Sequence, residues 1–166
     1  MRRRIYYENA VYHVISRGNN RQFILKTDED KNSLLLSVAK YKDRFGFLVY
    51  GFVVMDNHIH LIIEVNERHN ISRVMQAVLL SYSRKYRVKY GYVGHLWQGR
   101  FISIPILKER YVQELIDYIH QNPVRAKIVD HATDYAWSSA RFYADMDNGM
   151  VDKLLPIDKY RHFSHN

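Results

Sequence analysis

The sequence predicts an α+β domain of the ferredoxin-like, RRM-like type: an antiparallel sheet built in the order β-α-β-β-α-β, with one more helix behind it. Three observations predict it. Short β-branched stretches alternate with two long segments of helical period. The two middle strands are joined by a tight turn pair, Asp56-Asn57. And 166 residues at 47% hydrophobic content suffice for one domain with its own core.

The elements follow in order. Residues 10–18, AVYHVISRG, alternate and are β-branched, giving the first strand. Residues 27–46 open with Thr27 and Asp30 in capping-box spacing and close on Gly46, giving a helix. Residues 47–55 are the second strand and 58–65 the third. Ile71, Val74, Met75, Val78, Leu79, Tyr82 and Tyr86 fall on one face of a helix over about 71–90. Residues 101–106, FISIPI, form a fourth strand, and Pro105 puts it at an edge. Residues 108–121 are the third helix, expected to stop at Asn122 because the residue before Pro123 is pushed out of helical space. The tail from about 124 reads as irregular, with a short helix near WSSARFYA. The helices are expected on one face of the sheet, leaving the other free to bind.

His58 and His60 are two apart on the third strand, so both point to that second face, while Ile59, Leu61 and Ile63 point to the helices. Paired imidazoles make a two-nitrogen metal clamp. They equally suit phosphate binding, acid–base work, or a plain structural role. A working metal needs a third ligand; His13 on the first strand is one candidate, and His95 and His120 do not stand out by spacing. On the third helix Val112, Leu115, Ile116 and Ile119 form the apolar stripe, with Tyr111, Tyr118 and Asn122 beside it. Tyr118 and Asn122 share a face, four residues apart. Asn122 offers either an amide oxygen for a hard cation or a helix C-cap; Tyr118 is either a nucleophile toward phosphorus or an aromatic at the core's rim.

Net charge is +8, and its position matters more than its size. From Arg68 to Lys108 there is no acid but eight basic residues, which leaves the rest of the chain balanced. Such a one-signed window attracts a polyanion, most simply nucleic acid, unless it is only a solvated face. Arg84, Lys85, Arg87 and Lys89 are the expected phosphate contacts, with Arg100 and the Arg2, Arg3, Arg4 arm. Trp97, with Tyr90, Tyr92 and Phe101, either stacks on bases or belongs to a packed loop. The lack of cysteine suits a reducing cytoplasm, and no apolar run is long enough for a membrane span or a secretory signal.

MDNHIHLII, GHLWQGRF, YIHQNPVRAKIV and YAWSS, in this order, resemble the single-tyrosine HUH transposases of bacterial insertion sequences, most of all the branch of REP-associated tyrosine transposases. The resemblance runs over about residues 5–143 of one domain, 1–166, with 144–166 as its tail. The family's Met-Pro-Asn-His is Met-Asp-Asn-His here, and Asp56 serves a turn as well as proline. The resemblance implies cutting and rejoining of single-stranded DNA beside hairpins such as REP palindromes. It implies Tyr118 as the nucleophile that forms a 5′-phosphotyrosine. His58, His60 and Asn122 would hold Mg²⁺ or Mn²⁺, and the chain would act as a monomer or a homodimer. A non-catalytic nucleic-acid binder and a metal-dependent hydrolytic nuclease are the alternatives. The first has no use for His58, His60 and Asn122 together; the second leaves Tyr118 structural.

Overall fold

The structure, a computed structural model, describes residues 7–147 and 149–160. The strands are β1 (Val11–Arg17), β2 (Leu48–Val54), β3 (His58–Glu64) and β4 (Ile102–Ile106). The main helices are α1 (Asp28–Phe45), α2 (Ile71–Tyr90) and α3 (Arg110–His120). The sheet order is β2-β3-β1-β4 with every neighbouring pair antiparallel, which is the predicted split βαβ arrangement. β4 lies at the edge, where Pro105 sits opposite Tyr12.

Local chemistry sets the first helix. The Thr27 side chain accepts from the Asp30 N–H and the Asp30 carboxylate accepts from the Thr27 N–H, both at 3.2 Å, completing the capping box. Gly46 closes the helix in the left-handed region at φ 69°. α1 and α2 then bury Leu34, Leu35, Val38, Val74, Val78 and Tyr82 against Val14, Phe52, Ile59, Leu61 and Ile63 on one face of the sheet.

The other face is not open as expected. α3 packs there, with Val112, Ile116 and Ile119 against Tyr50, Val53 and Ile62. The reason is the apolar stripe of α3, which has nowhere else to be buried. Gly51, in the irregular part of the β2–β3 pairing, faces Ile116 and Ile119, so the helix sits close to the strand. The end of α3 also differs from expectation. The helix breaks at Gln121 (φ −78°, ψ −4°), but Asn122–Arg125 form a new helical turn, α4. Pro123 lies in the first turn of that short helix, where its missing N–H costs no bond.

The tail is less irregular than its composition suggests. Tyr135 donates to the Val54 carbonyl at 2.7 Å and Tyr143 to the Tyr50 carbonyl at 2.6 Å. Ser139 bonds both backbone groups of Phe52 through its own N–H and hydroxyl. Asp158 does the same for Val49. The outer edge of β2 is thus satisfied by the chain itself. α5 (Ala140–Tyr143) and α6 (Met150–Leu154) are short helical turns in this wrap.

His120, at the end of α3, is part of that wrap. It is 5% exposed, and its Nε2 is 2.7 Å from the Ser139 hydroxyl. Burial lowers its pKa to about 4, so it is neutral in the fold and titrates near 6.5 when unfolded. The unfolded chain therefore binds the extra proton first. Stability is full above about pH 6.5 and falls as the pH drops toward 4, by a few kcal/mol for this one group. Urea melts at pH 7 and pH 4.5 check this; His120→Gln is expected to reduce the dependence by this one group's share, leaving that of the other buried histidines.

Candidate metal and nucleophile site

β3 opens directly after the Asp56-Asn57 turn, which is held on several sides. Asp56 accepts from Lys31 of α1 at 2.8 Å, the Leu25 N–H bonds the Asp56 carbonyl, and the Gly18 N–H bonds the Asn57 carbonyl. His58 follows at once, and its Nδ1 lies 2.6 Å from the Asn57 side-chain oxygen. An amide oxygen only accepts, so the proton is on Nδ1 and the Nε2 lone pair is free. His60 is 7% exposed, and its Nδ1 lies 2.9 Å from Nε2 of His13, which is 6% exposed. The His13 and His60 rings are stacked with centroids 5.1 Å apart; His58 meets His60 edge-on at the same distance.

Both β3 histidines are thus engaged through Nδ1, and no hydrogen bond occupies either Nε2 among the described residues. His13 spends its Nε2 on His60, so that nitrogen is not free for a cation. Burial keeps all three neutral: the pKa falls to about 4 for His13 and His58 and to about 3 for His60. For His58 the charge of Arg17 adds to burial; for His60 the neighbouring histidines add to it, then Arg17 and Arg125. Arg17 is exposed and faces His58 across the β1–β3 ladder.

α3 brings its aromatics to the same face. Tyr118, 51% exposed, lines a cleft of about 450 Å³ with His13, Tyr111, Leu115, Ile104 and Ile106. The Tyr111 hydroxyl, in the same cleft, accepts from Arg110 at 2.9 Å. Asn122 donates its side-chain N–H to the Ile119 carbonyl at 2.9 Å, which leaves its amide oxygen without a partner among the described residues. No group of three His, Cys, Asp or Glu able to hold a metal is found among those residues. Imidazole nitrogens and an amide oxygen are neutral donors, which leave a cation's charge for an anionic ligand.

The transposase family described as IS200-like matches residues 6–122, which span both histidines, Tyr118 and Asn122. The chain belongs to the IS200-like transposases. It is 26% identical to the REP-associated tyrosine transposase of Escherichia coli K12 over 94% of this chain and 88% of that protein. In fold it is similar to a REP-associated tyrosine transposase bound to a REP hairpin, with TM-score 0.67 and 22% identity, covering 100% of this chain and 94% of that one. A crystal structure from Deinococcus radiodurans R1, assigned provisionally to the transposases, has TM-score 0.51 and 20% identity, over 73% of this chain and 96% of that one.

In this IS200-like transposase the basic window is divided between two sides of α2. Arg87, Trp97, Arg100 and Phe101 line one cavity of about 590 Å³ with Leu80 and Gln76. The Trp97 indole donates to Ser83 at 3.0 Å, and Leu96 beside it is buried, so this part of the loop is packed. The Gln98 N–H bonds the Arg17 carbonyl at 2.8 Å, which ties the cavity's rim to the β1 end that faces His58. Arg84 and Lys85 lie on the α1 side of α2, where Lys85 is 3.3 Å from the Ser37 hydroxyl. Lys89 pairs with Glu29 at 2.7 Å and with buried Asp30 at 2.9 Å. Tyr90 also donates to Asp30. Arg2, Arg3 and Arg4 lie outside the described residues.

Residue-by-residue reading of the sequence missed Arg17, Arg125 and the orienting role of Asn57. Arg17 becomes visible only through strand register. Asn57 carried a local signal, an amide next to a histidine, but the turn accounted for it. Arg125 is seven residues after Tyr118, two helical turns on, and was legible only had the helix been carried past Pro123.

Proposed function

We propose that this transposase cuts and rejoins single-stranded DNA beside hairpins, REP-like palindromes being the candidate substrate. Tyr118 is the nucleophile, and His58, His60 and Asn122 hold Mg²⁺ or Mn²⁺. The observation that carries the reading is that both β3 imidazoles are held through Nδ1 and leave their Nε2 atoms without a hydrogen-bond partner among the described residues. Such a cation, when bound, supplies Lewis-acid polarisation of the scissile phosphate. The Tyr118 oxygen forms a bond to phosphorus as the P–O3′ bond breaks. The phenolic proton is released to solvent and the departing 3′ oxygen takes one up, so a free 3′-OH and a 5′-phosphotyrosine result. One phosphodiester has become another, and a second 3′-OH reverses the step to give strand transfer without ATP.

The test is to incubate the protein with single-stranded hairpin DNA and Mn²⁺, then denature it. A protein–DNA adduct that maps to Tyr118 and vanishes with chelator is expected. Cut DNA with no adduct indicates a hydrolytic nuclease, and uncut DNA a binding protein; either overturns the proposal.

The charge layout gives a separate expectation. Log affinity for hairpin DNA should fall linearly with log salt. Arg87→Ala and Arg100→Ala should each reduce the slope by about 1. Lys89→Ala should leave it unchanged, because Lys89 is already neutralised by Glu29 and Asp30. Filter binding over a salt series measures all three.

A further inference from the structure

Arg125 is placed on the face of the Tyr118 ring. Its guanidinium lies over the Tyr118 ring, 4.2 Å from the centroid, and one of its N–H groups donates to the Tyr118 carbonyl at 2.8 Å. The second contact fixes the guanidinium against α3; the first fixes the ring beneath it. Arg125 is exposed, and no carboxylate pairs with it among the described residues. An arginine has five N–H donors, and these two contacts leave most of them and the whole charge unspent. The guanidinium therefore lies over the phenol ring with its charge unspent.

We propose that Arg125 is a catalytic residue with two tasks: it holds the Tyr118 ring for attack, and it donates to a non-bridging oxygen of the scissile phosphate. The inference rests on the cleavage reading given above. Charge builds on the non-bridging oxygens as the phenolic oxygen adds and the 3′ oxygen leaves, and a fixed, planar, permanently charged donor meets it without reorganisation. Lysine in its place keeps the charge but loses the flat stack on the ring.

Arg125→Ala, Arg125→Lys and the unmutated protein are compared in single-turnover adduct formation. Two hairpin DNAs are used, one with an ordinary scissile phosphate and one with a neutral methylphosphonate there. On the ordinary phosphate Arg125→Ala is expected to slow the reaction about 100-fold, and Arg125→Lys less. On the methylphosphonate the alanine penalty should shrink to about 10-fold or less, because the variant and the substrate then remove the same charge pairing. Mn²⁺ affinity, hairpin affinity and thermal stability should be those of the unmutated protein. Equal slowing on both substrates would mean that Arg125 only positions the ring and would overturn the phosphate contact. No slowing, or slowing matched by lost Mn²⁺ binding, overturns the proposal as a whole. Absence of a Tyr118 adduct with the unmutated protein sinks the cleavage reading instead.

Discussion

Tyr118→Phe is expected to abolish the denaturation-resistant adduct on hairpin DNA, a fall in rate of at least about 10⁴-fold. The substitution removes one oxygen from a half-exposed ring and leaves the ring under Arg125 in place. Folding and hairpin affinity should therefore stay as they were, so the loss reports on chemistry alone. Tyr111→Phe is the matched control. Tyr111 lines the same cleft, but its hydroxyl is held by Arg110. Its variant should keep the adduct. If instead Tyr118→Phe reacts normally and Tyr111→Phe does not, the nucleophile is Tyr111. Gel analysis of the denatured mixture, with peptide mapping of the adduct, decides between them.

The second large effect is expected at His60. His60→Ala removes one proposed ligand and the only partner described for Nε2 of His13. Calorimetric titration should detect no Mn²⁺ binding, and adduct formation should disappear with it. His13→Phe makes a graded comparison. It keeps the ligand but not the group that orients it, and loss of such a supporting contact typically costs 10–100-fold in metal affinity. An unchanged affinity in His13→Phe would show that the 2.9 Å contact between the rings does not hold His60 in its binding orientation.

Much of this site could be read from the sequence because its signals are local. A strand's alternation puts His58 and His60 on one face, where their rings meet edge-on, whereas Tyr118 and Asn122 lie in α3 and α4, either side of the break at Gln121. Periodicity likewise assigned Tyr82 and Tyr86 to the core, where both are buried. What was not legible depends on partners distant in sequence. Whether Lys89 is free for DNA depends on Glu29 and Asp30, about 60 residues away. The face carrying the histidines looked open because α3 was counted without asking where its stripe would go. The tail looked irregular because Tyr135, Ser139 and Tyr143 bond to strand backbone rather than following any repeat of their own.

The wrap around β2 has a consequence during synthesis. A growing chain completes its sheet once residue 106 has emerged, but the hydroxyl that meets His120 and the groups that cover Phe52 and Val49 come more than 30 residues later. Until then the nascent protein carries a bare ladder of N–H and C=O groups along one rim, a template for unwanted pairing. Ribosome-stalled or prematurely terminated chains ending before Tyr135 should therefore clump, while a chain that carries residues 135–158 seals that rim itself.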